Sequence, residues 1–581
     1  MNLEWLCVES KTPLMEVLRR QAGAVERGLP AGIALVTEPS GKLSGTVTDG
    51  DVRRAILKHA SLDVSAEKAM APNPIAFPSH RSYSDILEKL PGELSKRGRR
   101  EQKFLGKVIL VDEQHRPVRV LEYHHLWEQR VATHRNVVVV GMGYVGLTLA
   151  LTLADKGFHV TGFEVDATKV KNLNRGESHV HELGLTELLR QELNRHFVAA
   201  DTLPNNGDVY VISVGTPVAA PHAGALPVPQ MNYLENALGL ISKKLKPGNL
   251  VVLRSTVPAG TTRNFVLPYL EKATGLRGGI DFHLAFAPER TAEGRALKEL
   301  RTLPQIIGGL TADSVEATVA LFRELTPSIV RVESLEAAEM AKLLNNAFRD
   351  VVFGFANQVT QIASAFNIDP VELIRAANQG YIRDPIPLPS PGVGGPCLTK
   401  DPYIFASVAK QAGVTDTLSY AGRQANEAMC DFVVNGLLAE FKRLGRDPKR
   451  CRIAVAGLAF KGEPETGDLR NSPSVDIALK LKTAVQEVFG HDPVVSAEEI
   501  RAQGFTPIAD LTAGLNEMDA LLILNNHRYY QKGDITAWLN AMKKPAVLVD
   551  GWHLYRPEDV LHAAPSVYLG LGFSRRSEGM A

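Results

Sequence analysis

Hydrophobic and polar positions divide the chain into four regimes. Over residues 1 to about 130, short apolar runs alternate with turn residues. "IALVTEPSGKLSGTVTDGDVRRAIL" predicts strand, turn, strand, short loop and helix, and "KVILVDEQHRPVRVLEYHHLWEQ" repeats that order. After Arg135 the pattern changes. Val137 to Val140 make a continuous apolar run, as in a parallel strand covered on both faces. Further strands are expected in "DVYVISVGTPV" (208–218), "NLVVLRSTVP" (249–258), "DFHLAFAPER" (281–290) and "TLPQIIGGL" (302–310). Helical stretches such as "LENALGLISKKL" alternate with them, which predicts a doubly wound α/β domain to about residue 330. Over 333–367, Leu344, Phe348, Val352, Phe355, Val359 and Ile362 recur at three- and four-residue steps, the signature of one long amphipathic helix. "CRIAVAGLAFKG" (451–462) then opens a second α/β domain, with strands in "VQEVFGHDPVV", "ALLILNN" and "AVLVDGW". The closing "SVYLGLGFSRRSEGMA" is expected to end as a frayed tail.

Composition narrows the class. A chain of 581 residues is too long for one core, so three or four domains are expected. We place them at 1–130, 131–330, 331–440 and 441–581: a small α+β unit, a Rossmann-like domain, a central helical domain and a second Rossmann-like domain. The net charge of +1 supplies no basic field for nucleic acid. Cys7, Cys397, Cys430 and Cys451 show no CxxC spacing, so neither a metal site nor a disulfide framework is expected. No basic-then-apolar leader and no apolar stretch approaching 18 residues is seen, and a cytoplasmic protein is the default expectation.

The second regime carries a dinucleotide signature. Behind the valine strand stands Gly141-x-Gly143-x-x-Gly146, with Tyr144 and Val145 between the last two glycines, leading into the helical run "LTLALTLADKG". A second strand, "HVTGFEV", reaches Glu164, 23 residues past Gly141. Gly141 permits the turn, Gly143 lets the backbone approach a pyrophosphate, and Gly146 allows close packing of helix on strand. A carboxylate at Glu164 would hydrogen-bond a ribose 2′-hydroxyl and repel a 2′-phosphate, which favours NAD over NADP.

Two resemblances follow. The first N-terminal repeat resembles a CBS (cystathionine-beta-synthase-type) motif, and the two repeats together a CBS pair. In "GTVTDGD" the likeness implies that Gly45, Thr48 and Asp51 contact a nucleotide, whereas "VRVLEYH" in the second repeat lacks all three. A packing module without ligand is the other reading. From about Arg135 to Gly572 the chain resembles the UDP-glucose/GDP-mannose dehydrogenases. The likeness rests on six ordered motifs: "VGMGYVG", "STVPAGTT", "APERTAEG", "EMAKLLNNAF", "GVGGPCLTKD" and "GLAFKGEPETGDLRNSPS".

That resemblance implies oxidation of a nucleotide-sugar C6 alcohol to a carboxylate with two NAD per turnover. Such products feed surface polysaccharide synthesis. NAD would sit on the first α/β domain, the sugar nucleotide largely on the second, and the long helix would build a dimer or a dimer-based oligomer. Oxidising one carbon twice needs an adduct at the aldehyde stage, and a thiolate forms one well. Cys397 is therefore read as the nucleophile, its pKa expected to be lowered by the helix that follows. Gly392, Gly394 and Gly395 would let substrate approach the backbone. Lys342 and Asn346, four apart on one helix face, would hold the C6 oxygen. Glu289 would be the general base through water, with Glu293 in support. Asp401 would orient or activate water, and Thr256 would lie near it. Thr216, Thr256, Glu293 and Lys400 would also touch the cofactor. Lys461 and Arg470 would neutralise the diphosphate, and Arg383 would reach across a dimer interface.

Pro396 stands where relatives often carry Ser or His. The "PCLTKD" ending is that of UDP-glucose enzymes, but the "STVPAGTT" region reads like the N-acetylhexosamine branch, so the sugar stays open between UDP-hexose and UDP-N-acetylhexosamine. Two other readings are a two-electron hydroxyacid-type dehydrogenase, which needs no cysteine, and a nucleotide-sensing protein without turnover.

Overall fold

The computed structural model describes residues 3–27, 29–59, 61–79, 83–96, 106–123, 135–220 and 225–579. In the N-terminal unit, Cys7–Glu9 pairs parallel with Ile33–Thr37, which turns antiparallel into Leu43–Thr48. Ala76–Pro78 likewise pairs parallel with Lys107–Val111, which turns antiparallel into Pro117–Glu122. Both hairpins shift register just before the turn, at Val36/Thr37 and at Leu110/Val111. The repeat is thus a repeat of backbone as well as of sequence. Its halves share one core, in which Leu35 and Leu43 meet Ile109, Val111 and Val120. The helix expected after the second hairpin lies mostly at 124–134, outside the described residues.

In the next domain eight strands form one sheet. They are β1 Asn136–Val140, β2 His159–Phe163, β3 Phe197–Ala200, β4 Val209–Ile212, β5 Leu250–Leu253, β6 His283–Phe286, β7 Gln305–Gly309 and β8 Ile329–Arg331. The order is β3-β2-β1-β4-β5-β6-β7-β8, parallel except between β6 and β7. The first six strands have the Rossmann order, with its ligand crevice at the carboxyl ends of β1 and β4. The valine run shows the sheet covered on both faces: Val137 and Val139 enter one core and Val138 and Val140 the other. Each buried valine contributes roughly 1.5–3 kcal/mol. The expected strands at 208–218, 281–290 and 302–310 are shorter in the structure. At β4 and β6, residues past the carboxyl ends leave the sheet as loops, which carry Thr216 and Glu289.

The C-terminal domain repeats the scheme. Strands β9 Arg452–Ala456, β10 Glu487–His491, β11 Thr506–Pro507, β12 Ala520–Ile523, β13 Ala546–Asp550, β14 Ser566–Gly570 and β15 Phe573–Arg576 order as β11-β10-β9-β12-β13-β14-β15. The expected frayed tail is instead a hairpin: β15 pairs antiparallel with β14, and Gly572 at its turn packs against the Thr360 carbonyl. The Leu571-Gly572 turn was the available signal.

Between the two domains run α2 Leu335–Ser364, α3 Asp401–Gln411 and α4 Leu418–Arg443. α1, Tyr144–Asp155, follows the glycine loop. Ser334 caps α2 by accepting from the Ala337 amide at 3.1 Å. The apolar stripe on α2 does not face the interior. Phe348 is 72% and Ile362 59% exposed, and Leu344 and Phe355 are exposed too. The buried face carries Glu339, Lys342, Asp350 and Asn357 beside Leu343, Ala347 and Gly354. Among the described residues, no helix is long and apolar enough to cross a membrane.

Candidate active site

At the carboxyl end of β1, Gly141 has φ +95° and donates its amide to the Phe163 carbonyl at 2.8 Å. A Cβ on Gly146 would lie 1.8 Å from the Gly141 carbonyl, so only glycine fits. One on Gly143 would meet nothing within 4 Å, so the N-terminus of α1 opens toward free space suited to a diphosphate. Glu164 accepts from the Met142 amide at 3.1 Å, and His179 bonds the Met142 carbonyl at 2.9 Å. The loop is thus held at both the amide and the carbonyl of Met142, and the acid stands beside it. This loop, open helix end and acid fit NAD.

Tyr144 reaches past the glycine loop. Its phenol hydrogen-bonds Glu182, and the Gly294 amide donates to Glu182 at 2.7 Å and to the Tyr144 oxygen at 3.2 Å. The first turn of α1 is so tied to the Ala292–Gly294 loop. Nearby, the Thr216 hydroxyl donates to the Thr256 carbonyl at 2.5 Å.

Both carboxylate oxygens of Glu289 are engaged. One carboxylate oxygen pairs with buried Arg254, and the other accepts from the Arg290 and Thr291 amides, both at 2.7 Å. Burial pushes its pKa up, but Arg254 and the Thr291 amide outweigh this and hold it below the usual carboxylate range. Breaking such a pair costs about 3–5 kcal/mol, so Glu289 anchors the loop and stays ionised near neutrality.

Glu293 is the poised carboxylate. Burial first, then Asp468, raises its pKa to about 7 against the pull of Arg470 and Lys461. Lys461 Nζ donates to the Glu293 carbonyl at 2.8 Å, and Arg470 Nη2 lies 3.6 Å from its carboxylate. Arg470 is itself gripped by Asp468 through bonds of 2.5–3.0 Å. These side chains stand where the two α/β domains meet, along a cleft of about 700 Å³ lined by Gly143, Tyr144, His179, Glu182, Glu293 and Arg470.

Of the four cysteines only Cys397 is exposed. Although solvent reaches the residue, the surrounding walls crowd its sulfur. Burial raises the thiol pKa, Lys342 and Lys400 lower it, and Asp401 and Glu293 raise it, with a net upward shift. This overturns the expected lowering. α3 begins at Asp401, and Cys397 turns its carbonyl, not its thiol, toward the Lys400 and Asp401 amides. The glycines also serve packing. A Cβ on Gly394 would lie 2.3 Å from Pro473 and 2.4 Å from the Asn471 carbonyl, and one on Gly395 would strike Phe460. They seat the cysteine loop on the C-terminal domain.

Lys342 is buried on α2 and is the first charge that lowers the thiol pKa. Asn346 donates to Asp401 Oδ2 at 2.6 Å, and Lys400 to Asp401 Oδ1 at 2.9 Å. Asp401 is fully buried, and each of its oxygens holds one of these two side chains. Three residues before Lys342, Glu339 accepts from the Gly260 and Thr262 amides and the Thr262 hydroxyl at 2.6–2.7 Å. It clasps "STVPAGTT" to the helix.

Three segments match the domains described as the UDP-glucose/GDP-mannose dehydrogenase family's NAD binding domain (135–326), central domain (336–428) and UDP binding domain (454–557). The chain belongs to the UDP-glucose/GDP-mannose dehydrogenase family. It is an NAD-dependent nucleotide-sugar dehydrogenase. A UDP-N-acetyl-D-mannosamine dehydrogenase of Pyrococcus horikoshii is 31% identical over 427 residues, 73% of this chain and 97% of the relative. An NDP-N-acetyl-D-galactosaminuronic acid dehydrogenase of Ralstonia nicotianae is 32% identical over 410 residues, 69% and 92% of the two chains. A solved structure of the Pyrococcus horikoshii UDP-D-ManNAc dehydrogenase superposes with a TM-score of 0.66 at 31% identity, covering 75% of this chain and 99% of that one.

For this dehydrogenase Glu293 makes a pH prediction. A base acts when deprotonated, so kcat/KM should rise with pH through about 7. Glu293→Gln should remove that limb and about 10²-fold of the rate. A pH–rate profile that keeps the limb in the variant would assign it elsewhere.

Arg383 is exposed and lies over Tyr381 at 5.8 Å, and no described contact links it to this chain's Cys397. In the N-terminal unit a cavity of about 900 Å³ is lined by Thr48, Asp51, Arg54, Asn73 and Lys107. Asp51 accepts from the Thr48 amide at 2.8 Å and hydroxyl at 2.6 Å. Gly45 is not part of that lining. It is buried against Met70, whose sulfur would lie 2.5 Å from an added Cβ. Arg254, Glu182, Glu339 and Asp468 went unseen in the sequence. The signals were weak: Arg254 immediately precedes "STVP", Asp468 stands two before Arg470, and Glu339 shares the helical face of Lys342.

Proposed function

We propose that this dehydrogenase oxidises the C6 alcohol of a UDP-N-acetylhexosamine to the uronate through a covalent Cys397 adduct. The single observation that carries the reading is an exposed cysteine whose thiol feels the charges of Lys342, Lys400, Asp401 and Glu293. NAD, when bound on the glycine loop beside Glu164, supplies the hydride acceptor for each of two oxidations. Lys342 and Asn346 hold the C6 oxygen as its proton leaves and the aldehyde forms. The Cys397 sulfur then bonds the aldehyde carbon while its proton passes to the carbonyl oxygen, giving a thiohemiacetal. Loss of a second hydride and the hydroxyl proton leaves a thioester. Water, deprotonated by Glu293, attacks that carbon. The carbon–sulfur bond breaks and the thiol recovers its proton. One sugar and one water so yield one carboxylate and two reduced cofactors. Lys461 and Arg470 hold the diphosphate. A UDP-N-acetylhexosamine such as UDP-ManNAc is favoured over UDP-glucose because relatives of 31–32% identity act on N-acetylated sugars.

The test counts NADH per sugar consumed across UDP-ManNAc, UDP-GalNAc, UDP-GlcNAc, UDP-glucose and GDP-mannose. Two NADH with an N-acetylated sugar is expected, and one NADH would sink the covalent route. The exposed stripe Phe348, Phe355 and Ile362 is where a second copy would pack, and a monomer in sedimentation equilibrium would count against that. We also read the N-terminal unit as a CBS pair that takes a nucleotide between Thr48, Asp51, Arg54 and Lys107 and alters activity. Calorimetry on the full chain should show binding to an adenine nucleotide or UDP-sugar that Asp51→Ala abolishes. Identical heats from both proteins would remove the idea.

A further inference from the structure

Arg423, on α4, is 1% exposed. Its Nη1 donates to Asp350 Oδ1 at 2.9 Å and to the Leu398 carbonyl at 3.1 Å, and its Nη2 donates to the Val393 carbonyl at 2.9 Å. Those carbonyls belong to residues four before and one after Cys397. Asp350 lies on α2, four residues beyond Asn346 and eight beyond Lys342, on the same buried face. One guanidinium therefore joins the helix that bears the ammonium to the loop that bears the thiol. The crossing of α2 and α4 lets it reach, because Gly354 meets the Gly422 backbone where a Cβ would lie 2.5 Å from the carbonyl.

Asp350 is locked in turn. Asn426 Nδ2 donates to its side chain and to its carbonyl, both at 2.9 Å. Asn426 accepts from Asn357 at 2.8 Å, and Asn357 accepts from the Ser390 amide at 2.9 Å. The loop from Ser390 to Leu398 is thus tied to α2 and α4 at both ends. Pairing Arg423 with Asp350 would by itself neutralise the charge. The two carbonyl bonds use the planar fork of donors that arginine has and lysine lacks.

We infer that Arg423 is a positioning residue for the cysteine chemistry. It sets the separation between the Cys397 sulfur and the Lys342–Asn346 pair without touching substrate, and it rests on the reading of Cys397 as nucleophile. A reacting group displaced by about 1 Å can cost roughly 10²-fold in rate.

The experiment uses the full-length enzyme. Arg423→Lys keeps a cation for Asp350 but cannot span both carbonyls. Its kcat should fall about 10²-fold with both KM values held within about threefold, and iodoacetamide labelling of Cys397, followed by peptide mass spectrometry, should change rate with it. A folded R423K enzyme with wild-type kcat and labelling overturns the inference. Should R423K not fold, an amide-to-ester replacement between Leu398 and Thr399 decides. It weakens the Leu398 carbonyl as acceptor and removes the Thr399 N–H, which donates no backbone hydrogen bond among the described residues, and leaves every side chain in place. A kcat about tenfold lower at unchanged KM supports the inference, and wild-type kcat overturns it. Failure of the covalent reading looks different, because Cys397→Ser would then keep turnover. An inactive C397S beside a fully active R423K removes the positioning role alone.

Discussion

Cys397→Ser should abolish formation of the uronate, by about 10⁴-fold or more, while NAD and UDP-sugar still bind. A serine hydroxyl at this site has no base close enough in strength to make it an alkoxide. It also cannot supply the polarisable leaving group that a thioester gives to water. The first oxidation does not need the sulfur, so the variant should release hydride once, in a single turnover, and stall at the aldehyde level. Stopped-flow absorbance of NADH with mass spectrometry of the sugar checks both halves. Steady-state turnover within tenfold of wild type would show that water, not sulfur, adds to the aldehyde, and the chemistry argued here would fall with it.

Lys342→Met should lower kcat about 10²–10³-fold, the usual cost of removing one donor from a developing oxyanion. Two oxygens of one carbon depend on it in sequence, the alcoholate and then the tetrahedral adduct. The same ammonium is also the leading charge that lowers the Cys397 pKa. Its loss should therefore slow alkylation of the thiol at neutral pH as well as turnover. Methionine keeps the buried stem, so the protein should stay folded. If k(alkylation) and kcat both remain within a factor of about three, the ammonium serves packing and not the reaction.

Much of this site was legible because its chemistry sits in short contiguous motifs. The glycine loop with Glu164, the cysteine before Lys400-Asp401, and Lys342 with Asn346 each occupy one segment. The N-terminal repeat was legible for the same reason, since both strands of each hairpin lie within one stretch of sequence. What stayed hidden lay where a residue's neighbour is remote in the chain. Nothing beside Glu289 in the sequence shows that Arg254, 35 residues earlier, is bonded to it. Nothing beside Glu293 shows that burial and Asp468 raise its pKa toward neutrality. Nothing beside Gly394 shows that a Cβ there would strike Pro473.

The apolar stripe of α2 shows the same division in the fold. Periodicity identifies a helix with one apolar and one polar face, but it does not say which face turns inward. Here the polar face turns inward, because Glu339, Asn346, Asp350 and Asn357 each meet a partner on another segment, while Phe348 and Ile362 remain outside. By itself the sequence determined the strands, the cofactor loop, the cysteine motif and the order of the three family domains, since these follow from local residue type and spacing. Tertiary structure alone decided which carboxylate is raised toward neutrality, which charges surround the thiol, and how the cysteine loop is anchored. Those properties depend on burial and on charges brought together from distant parts of the chain, and no spacing rule encodes them.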